Sequence, residues 1–326
     1  MASATLTSHT TLHRHAECAR RSAPGNRPPE LTTTVPREYV HRTAVSEVFL
    51  TNWRREGAGC WTVSAQWPRA HSFYGPVNGL HDPMLVIETV RQAGILLSHV
   101  AHNVPLDHPI IWQRVRCDLS PQALRTAETP AEVTLHVTDH EVVRRGKRLI
   151  SARQEFRIRC DGADLAIAAL DFSCHSPAVY RRLRGEYSNL ALANARKLPV
   201  PEAVAPQVVA RDRTRDVVLS PTSRPDHWQL RVDTSHPVLF DHPVDHAPGM
   251  LMVEAARQAA QAATPGFALP ITLECAFERY AEMDAPSWVR ARTTARGDDG
   301  RRQVDVDIEQ HARQVLSAQI TSVPAP

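Results

Sequence analysis

Apolar and polar positions along this chain follow one pattern, and they follow it twice. Strand-like residues at 45–51 precede Cys60-Trp-Thr-Val-Ser-Ala, in which Trp61, Val63 and Ala65 alternate with polar neighbours. Such alternation predicts a strand with one buried face. A turn-rich segment, His71 to Pro83, leads into Met84-Leu-Val-Ile-Glu-Thr-Val-Arg-Gln-Ala-Gly. This run is apolar nearly all the way round, the signature of a helix enclosed by other structure. Period-two alternation returns at Val133, Leu135 and Val137 and at Ile150, Ala152, Phe156 and Ile158, with Asp161-Gly162 predicted as the turn into a last strand at 165–172.

The second half repeats the order. Strand-like residues at 216–220 and His227-Trp-Gln-Leu-Arg-Val precede a segment from His236 to Pro248, a helix from Gly249, and strands around 289–294, 304–308 and 316–320. Pro83 and Pro248 mark the two helix starts, where a missing amide hydrogen costs nothing. One apolar helix followed by an antiparallel meander, twice, predicts an α+β chain of two tandem hotdog domains forming a pseudo-dimer, each a long central helix wrapped by antiparallel sheet. The expected division is a polar, disordered tail over residues 1–36, a first domain over 37–178, a Pro-containing linker over 179–215 and a second domain over 216–326.

The length of 326 residues suits two domains with a core each. No stretch approaches the apolar run of a membrane helix, and no secretory signal is evident, so a cytoplasmic protein is expected. The six cysteines form no CxxC pair, which argues for reduced thiols and against structural zinc. A net charge of +3, spread along the chain, gives no electrostatic footprint for nucleic acid.

The polar residues on the apolar helices carry the chemistry. Glu88, Arg91 and Gln92 share one helical face, and Glu254, Arg257 and Gln258 repeat the spacing 166 residues later. A buried carboxylate or guanidinium needs a partner, a wet pocket or a ligand. Two readings stand: an ion pair holding the halves in register, or a catalytic pocket with a carboxylate base and an arginine clamp for phosphate or an oxyanion. His242 and His246, in Asp241-His-Pro-Val-Asp-His-Ala-Pro-Gly, are candidate general bases; each is also a candidate turn residue bonding the backbone, a reading that weighs more for His71 and His81. Asp82 is placed to cap the first helix, whereas Ala247 stands at that position of the second. Amides near Gly249 are thereby left to polarise a carbonyl, unless Asp245 caps them.

The run Asp241-His-Pro-Val-Asp-His-Ala-Pro-Gly-Met-Leu-Met-Val-Glu-Ala-Ala-Arg-Gln, with Val40-His-Arg, Glu47-Val-Phe-Leu-Thr and His81-Asp-Pro-Met-Leu-Val-Ile-Glu-Thr-Val-Arg-Gln-Ala-Gly, resembles the A-factor synthase family over about residues 38–323. The resemblance implies transfer of a β-ketoacyl group from acyl carrier protein to a hydroxyl of dihydroxyacetone phosphate, an early step towards γ-butyrolactone autoregulators. A more distant similarity links Pro248 to Gln258 with hotdog hydroxyacyl dehydratases, but the dehydratase histidine falls on Phe240, which argues against dehydration.

The expected site is then Glu254, alone or with His246, as base, with Glu88 completing it across the interface. Arg257 and Arg91 bind phosphate, Gly249 amides hold the thioester oxygen, and His242 and Gln258 are secondary candidates. No metal or cofactor is expected. The expected partners are β-ketoacyl carrier protein and dihydroxyacetone phosphate, without nucleic acid or membrane; association into a homo-oligomer is left open. The alternatives are a thioesterase or dehydratase-like enzyme, and a lactone-binding regulator without catalysis.

Overall fold

The computed structural model describes residues 33–298 and 300–324; the greater part of the expected tail, residues 1–32, lies outside them. The first half contributes β1 (Leu50–Gly57), β2 (Cys60–Trp67), helix α1 (Met84–Val100), β3 (Ile110–Leu119), β4 (Ala131–Arg145), β5 (Arg148–Cys160) and β6 (Ala163–Cys174). Two short helices, α2 (Pro177–Arg184) and α3 (Leu190–Arg196), lead across. The second half supplies β7 (Leu219–Pro221), β8 (His227–Leu230), α4 (Gly249–Ala262), β9 (Ala268–Phe277), β10 (Ser287–Arg296), β11 (Arg302–Gln310) and β12 (Arg313–Pro324).

Among the described residues the strands form one 12-stranded sheet in the order β1-β2-β4-β5-β6-β3-β9-β12-β11-β10-β8-β7. Read from either end, the order runs through equivalent strands and meets at the antiparallel β3–β9 seam, where Val115 faces Cys275 and Cys117 faces Leu273. A pseudo-twofold axis passes through this seam, and the architecture is the tandem hotdog pair that the repeated pattern predicts. The period-two residues face inward as expected: Val63, Ala65, Val133, Leu135, Val137, Phe156, Ile158, Val304, Val306 and Ile308 are all buried.

Each helix lies inside its half of the sheet. From Met84 to His99 every residue of α1 except Arg91 is buried, and in α4 every residue from Met250 to Gln261 is buried. Gly94 allows the close fit, since a Cβ there would sit 2.7 Å from Leu170 Cδ2 on β6. The thiols of Cys117, Cys160, Cys174 and Cys275 are pushed up by burial, Cys160 and Cys174 to about 12, which removes them as nucleophiles at neutral pH.

The seam strands β3 and β9 are absent from the predicted elements, and the opening strand of each half begins later than predicted, at Leu50 and Leu219. Residues 45–47 form a turn of 3-10 helix, and the strand begins at Leu50. The reason is Gln92, whose side-chain amide acts as a stand-in strand. Its Nε2 donates to the Glu47 carbonyl at 2.7 Å, and its Oε1 accepts from Phe49 N at 2.9 Å. Gln258 does the same for Asp216 O and Val218 N, at 2.8 and 2.9 Å. Both glutamines therefore clip an approach segment to a helix and satisfy backbone groups that would otherwise be buried unpaired.

Candidate active site at the pseudo-twofold interface

Two glutamates organise the interface, and each is held by two arginines and a glutamine. Glu88 accepts from Arg42 (Nη2 2.6 Å, Nε 3.1 Å), from Arg91 (Nε and Nη2, both 2.8 Å) and from Gln92 Nε2 at 2.7 Å. Glu254 accepts from Arg211 (Nη2 2.8 Å, Nε 2.9 Å), Arg257 (Nη2 2.8 Å, Nε 2.9 Å) and Gln258 Nε2 at 2.6 Å. Burial alone would raise both carboxyl groups. The flanking guanidinium ions outweigh it and hold each well below the ordinary carboxylate range. A carboxylate so stabilised by two guanidinium ions is a poor general base.

The second arginine of each cluster lay outside the sequence-derived set. Arg42 follows a 3-10 turn (Arg37–Val40) capped by His41 at φ 50°, and Arg211 follows another (Pro206–Val209) capped by Ala210 at φ 52°. The left-handed cap in each case turns the arginine inward. Each then reaches across the axis: Arg42 Nη1 donates to Val238 O at 2.9 Å, and Arg211 Nη1 donates to Phe73 O at 3.1 Å. The ion-pair reading therefore holds in a modified form. The glutamates bind arginines of their own half, and those arginines bind the backbone of the other.

His71 and His236 complete the symmetric scaffold. His71 Nδ1 accepts from the amides of Phe73 and Tyr74, and His236 Nδ1 from those of Val238 and Leu239. His71 Nε2 then lies 3.2 Å from Glu47, and His236 Nε2 lies 3.5 Å from Asp216. Both are turn residues. His81 is buried edge-on to Trp67, with ring centroids 5.4 Å apart.

Departures from the symmetry separate the two sides of the axis. Where Arg211 enters the first half it also meets Asp82 Oδ2 at 2.8 Å, while Asp82 Oδ1 accepts from Met84 N at 2.9 Å and so caps α1. The start of α1 is closed. Counting eleven residues on from His236, as Asp82 lies from His71, Ala247 stands opposite Arg42, and no side chain caps α4. Asp245 does not reach round: its carboxylate accepts from His246 Nδ1 at 2.5 Å and from the Tyr180 hydroxyl at 2.8 and 2.9 Å. Burial would raise that carboxyl, but these bonds and the Arg184 charge lower it.

The arginine faces differ likewise. The Arg91 side chain is 15 % exposed and that of Arg257 is 7 % exposed. Arg91 donates to Val40 O at 3.2 Å, next to His41, and the Asp241–His242 pair docks on residues 43–44 of the same stretch; both Arg91 and His242 oppose a charge on His41. Asp241 ties this side together. Its carboxylate accepts from Thr43 N at 2.6 Å and Ala44 N at 2.9 Å, and from His242 Nδ1 at 3.1 Å. The His242 side chain is 41 % exposed with Nε2 left over.

The expected site residues thus fall into three groups. Arg91 and His242 lie on the His41 side of the axis, and the pseudo-twofold relation places the uncapped start of α4 at Gly249 on that side too, as it places Asp82 beside Arg211 on the other. Glu88, Glu254, Arg257, Gln258 and Gln92 are taken up in buried pairing. His246 belongs to neither: its ring packs edge-on to Tyr280, with centroids 4.7 Å apart, where α2 docks through Tyr180 and Arg184, and the partners of Glu254 do not include it.

The sequence pattern described as "A-factor biosynthesis hotdog domain" matches residues 25–176 and 192–326. A protein of Streptomyces virginiae named 2-oxo-3-(phosphooxy)propyl 3-oxoalkanoate synthase is 47 % identical over 291 residues, covering 89 % of this chain and 98 % of its own length. One of the same name from Streptomyces griseus is 37 % identical over 292 residues, covering 88 % of this chain and 95 % of its own. Among solved structures, a pyran synthase domain from module nine of the sorangicin pathway superposes with a TM-score of 0.50 at 17 % identity, covering 85 % of this chain and 98 % of that domain.

Proposed function

Since the chain belongs to the A-factor biosynthesis hotdog family, we propose that it joins a 3-oxoacyl group to a primary hydroxyl of dihydroxyacetone phosphate, at a single site between α1 and the start of α4. The ester so formed is a 2-oxo-3-(phosphooxy)propyl 3-oxoalkanoate, the product that the relatives' shared name describes. The acyl donor is a thioester on acyl carrier protein, whose long arm suits an enclosed site.

The observation that carries this reading is the broken symmetry. One side of the axis keeps an uncapped helix start, a part-exposed arginine and two histidines; on the other, Asp82 caps the helix start and pairs with Arg211, whereas Arg42, the counterpart of Arg211, has Ala247 in that place. Arg91 spends Nε and Nη2 on Glu88 and Val40 O and leaves Nη1 without a partner among the described residues; Arg257 leaves its Nη1 in the same way, so it is the greater exposure of Arg91 that separates the two. Nη1 of Arg91 takes the triose phosphate, for which a guanidinium is suited in charge and geometry. The free first-turn amides at Gly249 take the thioester oxygen as negative charge develops on it. Glu88 and Glu254 keep the arginines charged and fixed, replacing the role of base expected for them. No step calls on a metal or a redox cofactor.

His242, oriented by Asp241, returns a proton to the departing thiolate. A thiol of pKa about 8.5 is already a good leaving group, so this help is worth little. His242→Gln is expected to lower kcat by about tenfold, less than the roughly 100-fold at which general acid catalysis ordinarily begins, with KM for the triose phosphate unchanged. A loss greater than about 1,000-fold in steady-state assays would instead make His242 the principal base.

Mass spectrometry of the products tests the function. Purified protein mixed with a β-ketoacyl carrier-protein thioester and dihydroxyacetone phosphate should give the phosphorylated ester. Free β-keto acid formed at the same rate without the triose would make the protein a thioesterase, and no turnover of any thioester would leave a binding protein.

A further inference from the structure

His41 and His99 form a hydrogen-bonded pair whose protonation is fixed by geometry. His99 Nδ1 lies 2.7 Å from the carbonyl oxygen of Val104. A carbonyl only accepts, so Nδ1 of His99 carries a hydrogen and, in the neutral ring, Nε2 is bare. His41 Nε2 lies 2.9 Å from that atom and must donate to it. Neutral His41 therefore presents a bare Nδ1. No residue among the described ones donates to this atom, and it is absent from the buried polar atoms left without a partner, which do include those of His81.

The pair exists on one side of the axis only. Counting from the paired arginines, the counterpart of His41 is Ala210; counting from the paired glutamates, that of His99 is Pro265. Neither can handle a proton. The pair is thus present where α4 is uncapped and Arg91 is part-exposed, and absent where the interface is closed.

We propose that His41, backed by His99, is the base that takes the proton from the attacking hydroxyl of the acceptor; this rests on the acyl-transfer reading of the site. As the hydroxyl oxygen bonds to the thioester carbon, its proton moves to Nδ1 of His41. The hydrogen on Nε2 of His41 passes to Nε2 of His99, and the positive charge comes to rest there. Collapse of the tetrahedral adduct breaks the C–S bond, the electron pair leaves on sulfur, and the thiolate takes a proton from His242. The proton on His99 then returns through the pair to Nδ1 of His41 and passes by way of water to His242, which had given up its proton as an imidazolium, so that every group is reset.

The relay resolves a conflict that a single imidazole would face. Burial, then His99, Arg91 and His242, push His41 down to about 3, so a proton resting on it beside Arg91 is strongly disfavoured. Transfer to His99 carries the charge to a ring whose centroid lies 5.0 Å from that of His41; burial and His108 lower His99 as well, but the Val104 carbonyl on its Nδ1–H works the other way. His41 stays unprotonated between turnovers, ready to accept.

The test uses two variants of the full chain with the carrier-protein thioester and dihydroxyacetone phosphate. His41→Gly suits the left-handed backbone at φ 50°. It is expected to lose at least about 100-fold in kcat, the scale of general-base catalysis, with KM for the triose phosphate within about threefold, and to regain activity saturably with added imidazole. His99→Gln can still accept from His41 and donate to Val104 but cannot take a proton. It should fold as the wild type and lose at least about tenfold in kcat at unchanged KM. Turnover of His41→Gly within about threefold of wild type, a loss that imidazole leaves untouched, or an unimpaired His99→Gln would each overturn the relay. Absence of the ester with wild-type protein would instead remove the reading on which the relay rests.

Discussion

Glu254→Ala is expected to cost about 3–5 kcal/mol of folding stability, because it leaves two buried guanidinium groups without their carboxylate. Arg211 would keep Asp82 and Phe73 O, while Arg257 would keep only Val209 O. Urea unfolding followed by circular dichroism reads the loss directly, as a fall in midpoint at unchanged slope. Protein that does fold should still turn over, since Glu254 has no access to substrate. A variant of normal stability and no activity would restore the glutamate to the role of base. The same pairing sets the response to acid. The folded-state pKa of both Glu88 and Glu254 is depressed to about 2, so their stabilisation is complete above the ordinary carboxylate range and is lost as pH falls through the folded value.

Arg91→Ala should strike function harder than any other change in the interface. A charge-assisted pair of hydrogen bonds to phosphate is worth about 1.5–3 kcal/mol for each bond, and removing both should lower kcat/KM for dihydroxyacetone phosphate by about 100- to 10,000-fold, chiefly through KM. Glu88 keeps Arg42 and Gln92, so the fold survives at some cost in melting temperature. Arg91→Lys should recover only part of the loss, since an ammonium cannot bind Glu88 through the parallel fork and still present a free donor. Steady-state kinetics with both variants checks this, and an unchanged KM in Arg91→Ala would place the phosphate elsewhere.

Much of this architecture was legible in the sequence. Alternation at Val133 to Val137, or at Val304 to Ile308, could be read because each strand has one face on an enclosed helix. The helices stood out because an apolar run that includes Glu88-x-x-Arg-Gln and Glu254-x-x-Arg-Gln leaves few explanations for its polar residues. What period and spacing could not reveal was which charges meet. Arg42 and Arg211 sit in segments with no periodicity, and only the left-handed caps at His41 and Ala210 bring them to the glutamates. A signal was present, for Val40-His-Arg recurs as Val209-Ala-Arg, but it fell within the stretch read as linker. The value of Gln92 and Gln258 was hidden for a related reason. They bond main-chain atoms, and main-chain atoms leave no mark on residue identity.

The difference between the two sides was half legible. Asp82 against Ala247 at the helix starts could be compared directly, and it pointed to the start of α4. The arginine serving that start could not be read from α4 itself. In the reading proposed above it is Arg91 of the other helix, since the approach to α4 docks on residues 42–44, next to the Val40 carbonyl that Arg91 holds.

The central claim, one working site per chain, is tested most directly by isothermal titration of dihydroxyacetone phosphate into wild type, Arg91→Ala and Arg257→Ala. One binding event per chain, lost in Arg91→Ala and retained in Arg257→Ala, is the predicted result. Two events per chain, or loss in Arg257→Ala alone, would contradict it.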